Sequence, residues 1–341
     1  MRNLCMVGHI DNMTGYGQQN CLLVSGFQQA GIQPTVFATG LADKPEPVPA
    51  NVKDCLAPVP QNKSSFLIQP PNFRPEHKTL NRVWFIVWEA TKLDSSWVKR
   101  IDQSAAVVTP SDWNANCFSA CGVEAPIYRV PLFVPTPYTL TSPVEKNTYV
   151  FGCSGHLGAQ APRKNLRAAV RAFLQAFPKT DDVELRIKTG EFDYVEIPDD
   201  RRITLIKGHL SAEKMKQWYT ELDVFVHPSK SEGWGFQPLQ ALALGRPVIA
   251  CKYGGVAEYF NETCGIELQY SYEPASGMYQ DMGHWADPSI DNMAEAMLYA
   301  YNNPQEMARR GVAGAAKVAT LTLENTISKL IPILEKHEIV I

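Results

Sequence analysis

Short apolar runs alternate with stretches of helical periodicity along the whole chain. Asn3 to Gly8 reads as a buried parallel strand, followed by a loop from His9 to Gly17. Gln18 to Ala30 carries apolar residues at helical spacing (Cys21, Leu22, Val24, Phe27) and stops at Gly31. Pro34 to Thr39 is a second strand, so the opening unit is strand, loop, helix, strand, which predicts a parallel sheet with right-handed crossovers. Residues 41 to 75 are rich in Pro, Asn and Lys and read as an irregular excursion. The alternation then resumes. Strands are predicted at Val83 to Trp88, Ala105 to Thr109 and Ile127 to Val130, and helices at Trp97 to Ser104 and Asp112 to Cys121.

Pro131 to Pro143 holds four prolines and reads as a linker. Beyond it the pattern restarts. Tyr149 to Cys153 is a strand, and Asn165 to Phe177 a helix with its stripe at Leu166, Ala169, Val170, Phe173 and Leu174. Strands follow at Val183 to Lys188, Ile203 to Ile206 and Asp223 to His227. A helix from Ser211 to Leu222 has a serine N-cap but Lys214, not Glu or Gln, at N3. Pro288 to Tyr301, Glu306 to Val318 and Leu323 to Glu335 are further helices, the last bent or ended near Pro332. Two α/β halves of similar size are therefore expected. Ligands of such sheets sit at the carboxyl ends of strands, and two halves make the cleft between them the natural site.

Composition narrows the class without naming a reaction. The 341 residues are 45% hydrophobic and 20% charged, as in ordinary globular domains. Net charge is −3, and residues 1–145 carry as many basic as acidic side chains, which argues against a nucleic-acid or anionic-membrane partner. No apolar run approaches the ~20 residues that span a bilayer, and the N-terminus lacks a signal-peptide pattern. The eight cysteines include no C-x-x-C pair and read as reduced, so a cytoplasmic setting is expected. Cys117 and Cys121 share a helix face without further metal ligands. Asp181-Asp182 and Asp199-Asp200 read as solvated loop acids, and no metal site is expected.

Residues 231 to 250 carry the strongest chemical signal. Glu232 precedes a glycine-flanked turn (Gly233, Trp234, Gly235, Phe236). A helix opened by Pro238 and closed by Gly245 follows, then an apolar strand. A loop feeding a helix N-terminus presents unpaired N–H groups and partial positive charge to a phosphate, and the carboxylate can hold sugar hydroxyls. Arg163 and Lys164 sit at another helix start, where cations oppose the helix dipole unless an anion lies between. Gly15-Tyr16-Gly17 is a glycine pair between strand and helix, weak on its own.

The 231–250 stretch resembles the nucleotide-sugar signature of retaining glycosyltransferases of family 4, of GT-B fold. Glu232, Gly233, Trp234, Gly235, Phe236 and Pro238 match it, and Gln240 stands at the second acidic position. The resemblance implies an α/β GT-B chain: two Rossmann-like domains facing each other across a cleft. Residues 1–145 would form the acceptor domain and 146–322 the donor domain, with a helix at 323–341 returning to the first. It implies that Glu232 contacts the transferred sugar and that Gly233 to Phe236 supply amides to sugar and diphosphate. Gln240 would hold the ribose through neutral hydrogen bonds, weaker than charge-assisted ones. Lys164 would neutralise the diphosphate. His156 stands near the family's upstream Arg, and Arg163 is the substitute for it. Gly15 and Gly17 would approach the donor phosphates or the acceptor, and Gly208 would line the base with backbone. Glu89, at a strand end, is a lesser candidate for touching acceptor or sugar. His227 reads as support for the adjacent loop, and Gly254-Gly255 either adds amides near the sugar or is only a turn.

The activity expected is metal-independent, retaining hexosyl transfer from a UDP- or GDP-sugar, with no bound cofactor. The acceptor would be a glycan, a lipid carrier, a protein or a modified base. The rivals are a GT-B sugar-nucleotide epimerase, which needs no acceptor, and a non-catalytic nucleotide-sugar-binding protein, suggested by Gln240 and the missing Arg.

Overall fold

The computed structural model describes all residues except 1, 13, 44–46, 59–63, 75–80, 136–137, 143, 145, 157–160, 181, 192, 194–196 and 341. The chain divides into two compact units. Unit 1 comprises Met1–Trp88, Lys92–Pro135 and Leu321–Ile341, and unit 2 comprises Glu89–Thr91 and Thr136–Thr320. Positions 136, 137 and 143 of the proline-rich segment lie outside the described residues.

Unit 1 is built on β1 (Arg2–Ile10), α1 (Gly15–Gln29), β2 (Ile32–Leu41), α2 (Ala50–Lys53), β3 (Ser64–Ile68), β4 (Asn81–Phe85), α3 (Ser95–Ile101), β5 (Ala106–Thr109), α4 (Asp112–Ala120) and β6 (Ile127–Arg129). Its sheet is parallel throughout, in the order β2-β1-β3-β4-β5-β6. β3 corrects the irregular stretch expected over 41–75. Its five residues, Ser-Ser-Phe-Leu-Ile, are all buried; all five pair with β4, and Phe66, Leu67 and Ile68 also pair with β1. Two-sided burial removes the polar alternation that marks a strand, and the surrounding proline-rich sequence hides it. α3 starts two residues before the expected Trp97, because Asp94 caps it by accepting from the Ser96 N–H at 2.8 Å.

Unit 2 contains β7 (Tyr149–Ser154), α5 (Ala161–Lys164), α6 (Leu166–Ala176), β8 (Val183–Thr189), β9 (Ile203–Lys207), α7 (Ala212–Thr220), β10 (Val224–His227), α8 (Phe236–Ala243), β11 (Val248–Ala250) and β12 (Gly265–Glu267). A hairpin of β13 (Tyr270–Pro274) and β14 (His284–Pro288) follows, then α9 (Ile290–Asn302) and α10 (Pro304–Val318). The parallel sheet runs β12-β11-β10-β7-β8-β9. The strand order therefore reverses between β7 and β10, which are hydrogen-bonded neighbours. In open α/β sheets this reversal is where two loops diverge and leave a crevice at the strand carboxyl ends. The amphipathic α6 buries Leu166, Ala169, Val170 and Phe173 and packs on α9, with Leu174 at the edge of the stripe; each large apolar side chain so buried contributes about 1.5–3 kcal/mol.

The last helix, α11 (Leu323–Lys336), belongs to unit 1 and lies on α1. Gly26 makes the close packing possible, since a Cβ there would come within 2.8 Å of the Ile327 side chain. Arg2 pairs with Glu335 at 2.7 Å, and Leu4 bridges Val340 antiparallel. α11 runs through Pro332 to Lys336 instead of ending at the proline.

Candidate functional site

The two strands that flank the reversal carry the charged residues. Ser154 ends β7, and the chain returns through α5, whose last residues are Arg163 and Lys164. His227 ends β10, and the turn 228–235 leads into α8. The turns are joined by backbone, the Lys230 N–H donating to the Arg163 carbonyl at 2.9 Å. Asn165 then adopts the left-handed conformation, φ 50° and ψ 35°, before α6 begins. The helix expected to open with Arg163, Lys164 and Asn165 is thus broken at Asn165 into a four-residue turn and α6.

Glu232 is the centre of the cluster. Arg163 Nη1 lies 2.9 Å from Glu232 Oε2, and Lys164 Nζ lies 2.7 Å from Oε1. Ser229 Oγ donates to Oε1 at 2.7 Å, and His227 Nε2 stands 3.7 Å away. Arg163 also donates to the Ser231 carbonyl at 2.6 Å, and Lys164 reaches Gln237 Oε1 at 3.4 Å. Arg163, Lys164, His227 and Glu232 are all buried. Burial alone would raise the Glu232 carboxyl, but Arg163 and then Lys164 outweigh it and hold it well below the usual range. Burial lowers the Lys164 ammonium, with the Glu232 charge opposing. Arg163 is lowered by burial but driven up overall by Glu232 and Glu89. Burial takes His227 down to about 4, so it is neutral at pH 7.

The turn itself is shaped by glycine. Gly235, at φ 86°, caps α8 without a side-chain hydrogen bond. α8 starts at Phe236, so Pro238 is its third residue and not its opener, and Gln240 lies past the first turn. Pro238 costs no hydrogen bond, because the first four N–H groups of a helix have no intrahelical partner. Gly245 at φ 76° follows the helix end, as expected. Gly254 and Gly255 pack directly on the turn: the Gly255 N–H donates to the Glu232 carbonyl at 2.7 Å, and a Cβ on Gly255 would fall 2.1 Å from the Gly233 carbonyl oxygen. Tyr259 Oη donates to the Trp234 and Gly235 carbonyls. Among the described residues, the buried Ser231 Oγ, Trp234 Nε1 and both ring nitrogens of His227 have no hydrogen-bond partner. So many unpaired polar atoms around one turn call for an explanation.

Other expected residues fall elsewhere. Gln240 is buried, not exposed, and accepts from Tyr219 Oη at 3.3 Å. His156 is largely exposed and pairs with the buried Asp193 at 2.9 Å, apart from the Glu232 contacts. Gly208, at φ 94°, follows β9 with open space where a side chain would lie. Gly15-Tyr16-Gly17 is not a loop: it is the first turn of α1, capped by Thr14, whose side chain accepts from the Gly17 N–H. Gly17 is needed there because a Cβ would meet the Asp11 carboxylate at 2.4 Å. Glu89 joins unit 2, where Tyr279 Oη donates to its Oε2 at 2.9 Å. Tyr279 was not foreseen, nor was the hairpin that carries it. Among the described residues no group of three His, Cys, Asp or Glu is placed to hold a metal ion. Asp200 is paired with Arg202, while Asp181 lies outside the described residues.

A carboxylate fixed between two cations, beside a helix start that no side chain caps at a strand-order reversal, is suited to a ligand that joins hydroxyls to phosphate. Residues 148–308 match the family model of group 1 glycosyl transferases. The matched segment contains Arg163, Lys164, Glu232 and all of α8. A lipopolysaccharide core biosynthesis mannosyltransferase, LpsB of Rhizobium meliloti, is 40% identical over 101 residues, 27% of this chain and 28% of that protein. The chain spans less than half the length of the curated relatives it matches. Among solved structures, sucrose-phosphate synthase from Thermosynechococcus elongatus superposes with a TM-score of 0.70 at 12% identity, covering 98% of this chain and 99% of the other. Anabaena HepE in complex with UDP-glucose gives 0.68 at 13% identity, with 98% and 100% covered. These likenesses establish the glycosyl transferase fold: two Rossmann-like domains of the GT-B class. No helix among the described residues is long and apolar enough to cross a membrane.

Proposed function

We propose that the chain is a metal-independent, retaining glycosyltransferase of family 4 type that moves a hexose from a UDP- or GDP-sugar to an acceptor hydroxyl. The observation that carries this reading is the buried contact of Glu232 with Arg163 and Lys164 at the start of α8. The donor's diphosphate lies against Lys164, Arg163 and the first amides of α8. These groups stabilise the charge that develops as the nucleotide departs, in a site where water no longer screens them. Glu232 accepts hydrogen bonds from the sugar hydroxyls and is not a nucleophile. The acceptor oxygen attacks on the face the diphosphate leaves, which keeps the anomeric configuration. Ser231 Oγ and Trp234 Nε1 gain partners from the same hydroxyl-rich ligand. Gln240 meets the ribose with its amide while Tyr219 holds its carbonyl oxygen. The names of the relatives, mannosyltransferases among them, favour a hexose donor.

Nucleotide release from UDP-glucose and GDP-mannose is to be followed with panels of glycan and lipid acceptors, with and without EDTA, and the anomeric configuration of the product read by NMR. Lys164→Ala should cut turnover by ~10²–10³. Wild-type turnover in that variant, an inverted product, or loss of activity in EDTA would each refute a part of the proposal. Conversion of donor alone, without acceptor, would favour epimerisation.

A further inference from the structure

The β13–β14 hairpin carries an exposed aromatic cluster apart from the charged residues around Glu232. Tyr270 and Tyr272 are 38% and 66% exposed, and Tyr253 beside them is buried. Two residues apart on β13, Tyr270 and Tyr272 share one face of the strand. The three rings meet one another. Their centroids lie 5.6 Å apart for Tyr253 and Tyr270, 5.6 Å for Tyr270 and Tyr272, and 6.1 Å for Tyr253 and Tyr272. The cluster is fixed to the Glu232 turn from two sides. Lys230 pairs with Glu273 at 2.7 Å and Asp287 at 2.9 Å, and the Ala286 N–H donates to the Lys230 carbonyl at 2.9 Å. Tyr253 directly precedes Gly254 and Gly255, which pack on the same turn.

A single exposed tyrosine is ordinary on a protein surface, whereas rings in mutual contact form a patch. Area and charge decide what covers it. The two exposed rings offer roughly 200 Å², about a quarter of the ~800 Å² that each partner gives to a standard protein interface. A second copy of the chain or another folded protein would therefore find too little surface. Residues 270–288 contain three acids, Glu273, Asp281 and Asp287, and no Lys or Arg, which disfavours an anionic lipid or a nucleic acid. A pyranose suits both constraints. Its C–H face is apolar and about the size of one aromatic ring, and its rim hydroxyls are uncharged partners for phenol hydroxyls. We propose that Tyr253, Tyr270 and Tyr272 form a platform on unit 2 that stacks the sugar rings of a neutral acceptor glycan, other than the ring that receives the hexose. That the bound glycan is the acceptor rests on the transfer proposed above; the stacking itself needs no nucleotide.

The test is calorimetric titration of the full chain with maltoheptaose, cellohexaose and mannohexaose, beside UDP and GDP. At least one of the three glycans should bind without nucleotide. Tyr272→Ala removes the most exposed ring and should weaken that binding about three- to tenfold. Tyr272→Phe keeps the ring and should retain most of the affinity, with melting temperatures showing that both variants fold. Neither change should alter the affinity for UDP or GDP. A wild-type chain that binds none of the three glycans, or folded Tyr272→Ala that binds them as tightly as wild type, would overturn the platform. So would self-association or binding to phosphatidylglycerol vesicles that is lost in Tyr272→Ala. Glycan binding through Tyr272 in a chain that takes up neither UDP nor GDP would instead overturn the donor-site reading and leave the platform standing.

Discussion

Replacing Glu232 by Gln is the most severe single test of the charged cluster. The amide keeps the volume and one acceptor oxygen but withdraws the negative charge shared by Arg163 and Lys164, which lie 2.9 and 2.7 Å from it. Both cations are buried, so water cannot replace the lost partner. Breaking a buried ion pair from one side costs about 3–5 kcal/mol, mostly the penalty of the charge left behind. For a unit of this size each kcal/mol lowers the melting temperature by about 2–4 °C, so the transition of residues 136–320 should fall by about 6–20 °C. Differential scanning calorimetry measures it. The double variant Glu232→Gln with Lys164→Met removes one orphaned cation and should regain part of the loss, a coupling that a double-mutant cycle isolates. A fall under about 2 °C in the single variant, or strictly additive losses in the double, would show that the three charges are not mutually dependent.

Two further outcomes follow from the same turn. His227 is held near pH 4 by burial, against about 6.5 in an unfolded chain, so its contribution is intact above pH 6.5. On acidification the unfolded state takes the proton first, and about 3 kcal/mol is lost between pH 6.5 and 4. Glu89, held above its ordinary range, works in the opposite sense over part of that window. The clean readout is therefore the stability difference between wild type and His227→Gln in urea unfolding at pH 7 and pH 4.5; a difference that does not change with pH would refute the assignment. Gly255→Ala places a methyl 2.1 Å from the Gly233 carbonyl oxygen and must displace the turn. It should cost at least about 2 kcal/mol and strongly depress donor affinity, whereas Gly208→Ala, with open space around it, should suffer only the strain of its positive φ.

What could be read in the amino-acid order was what is local. The alternation of strand and helix, the Ser211 cap and the Gly245 stop each depend on a few neighbouring residues, and the Glu232 turn with α8 is one contiguous stretch. Thr14 explains why Gly15-Tyr16-Gly17, a loop by its glycines, is helical: its side chain starts the helix early, over residues that usually weaken one. β3 was hidden by burial on both faces. The Glu89–Tyr279 contact joins positions 190 residues apart, and no periodicity encodes such a pairing. Nor did composition announce the hairpin, whose turn uses Gly277, Asp281 and Gly283 at positive φ.

Asn165 carries the left-handed turn between α5 and α6. Its φ of 50° is what lets the chain end one short helix and begin another within a single residue. Arg163 and Lys164 lie immediately before that swivel, so the aim of two cations hangs on one torsion. Asparagine and glycine tolerate this conformation, while valine, isoleucine and threonine resist it. Position 165 is thus a rotational latch: a β-branched side chain there would swing both charges away from Glu232 without altering a single atom that touches a substrate.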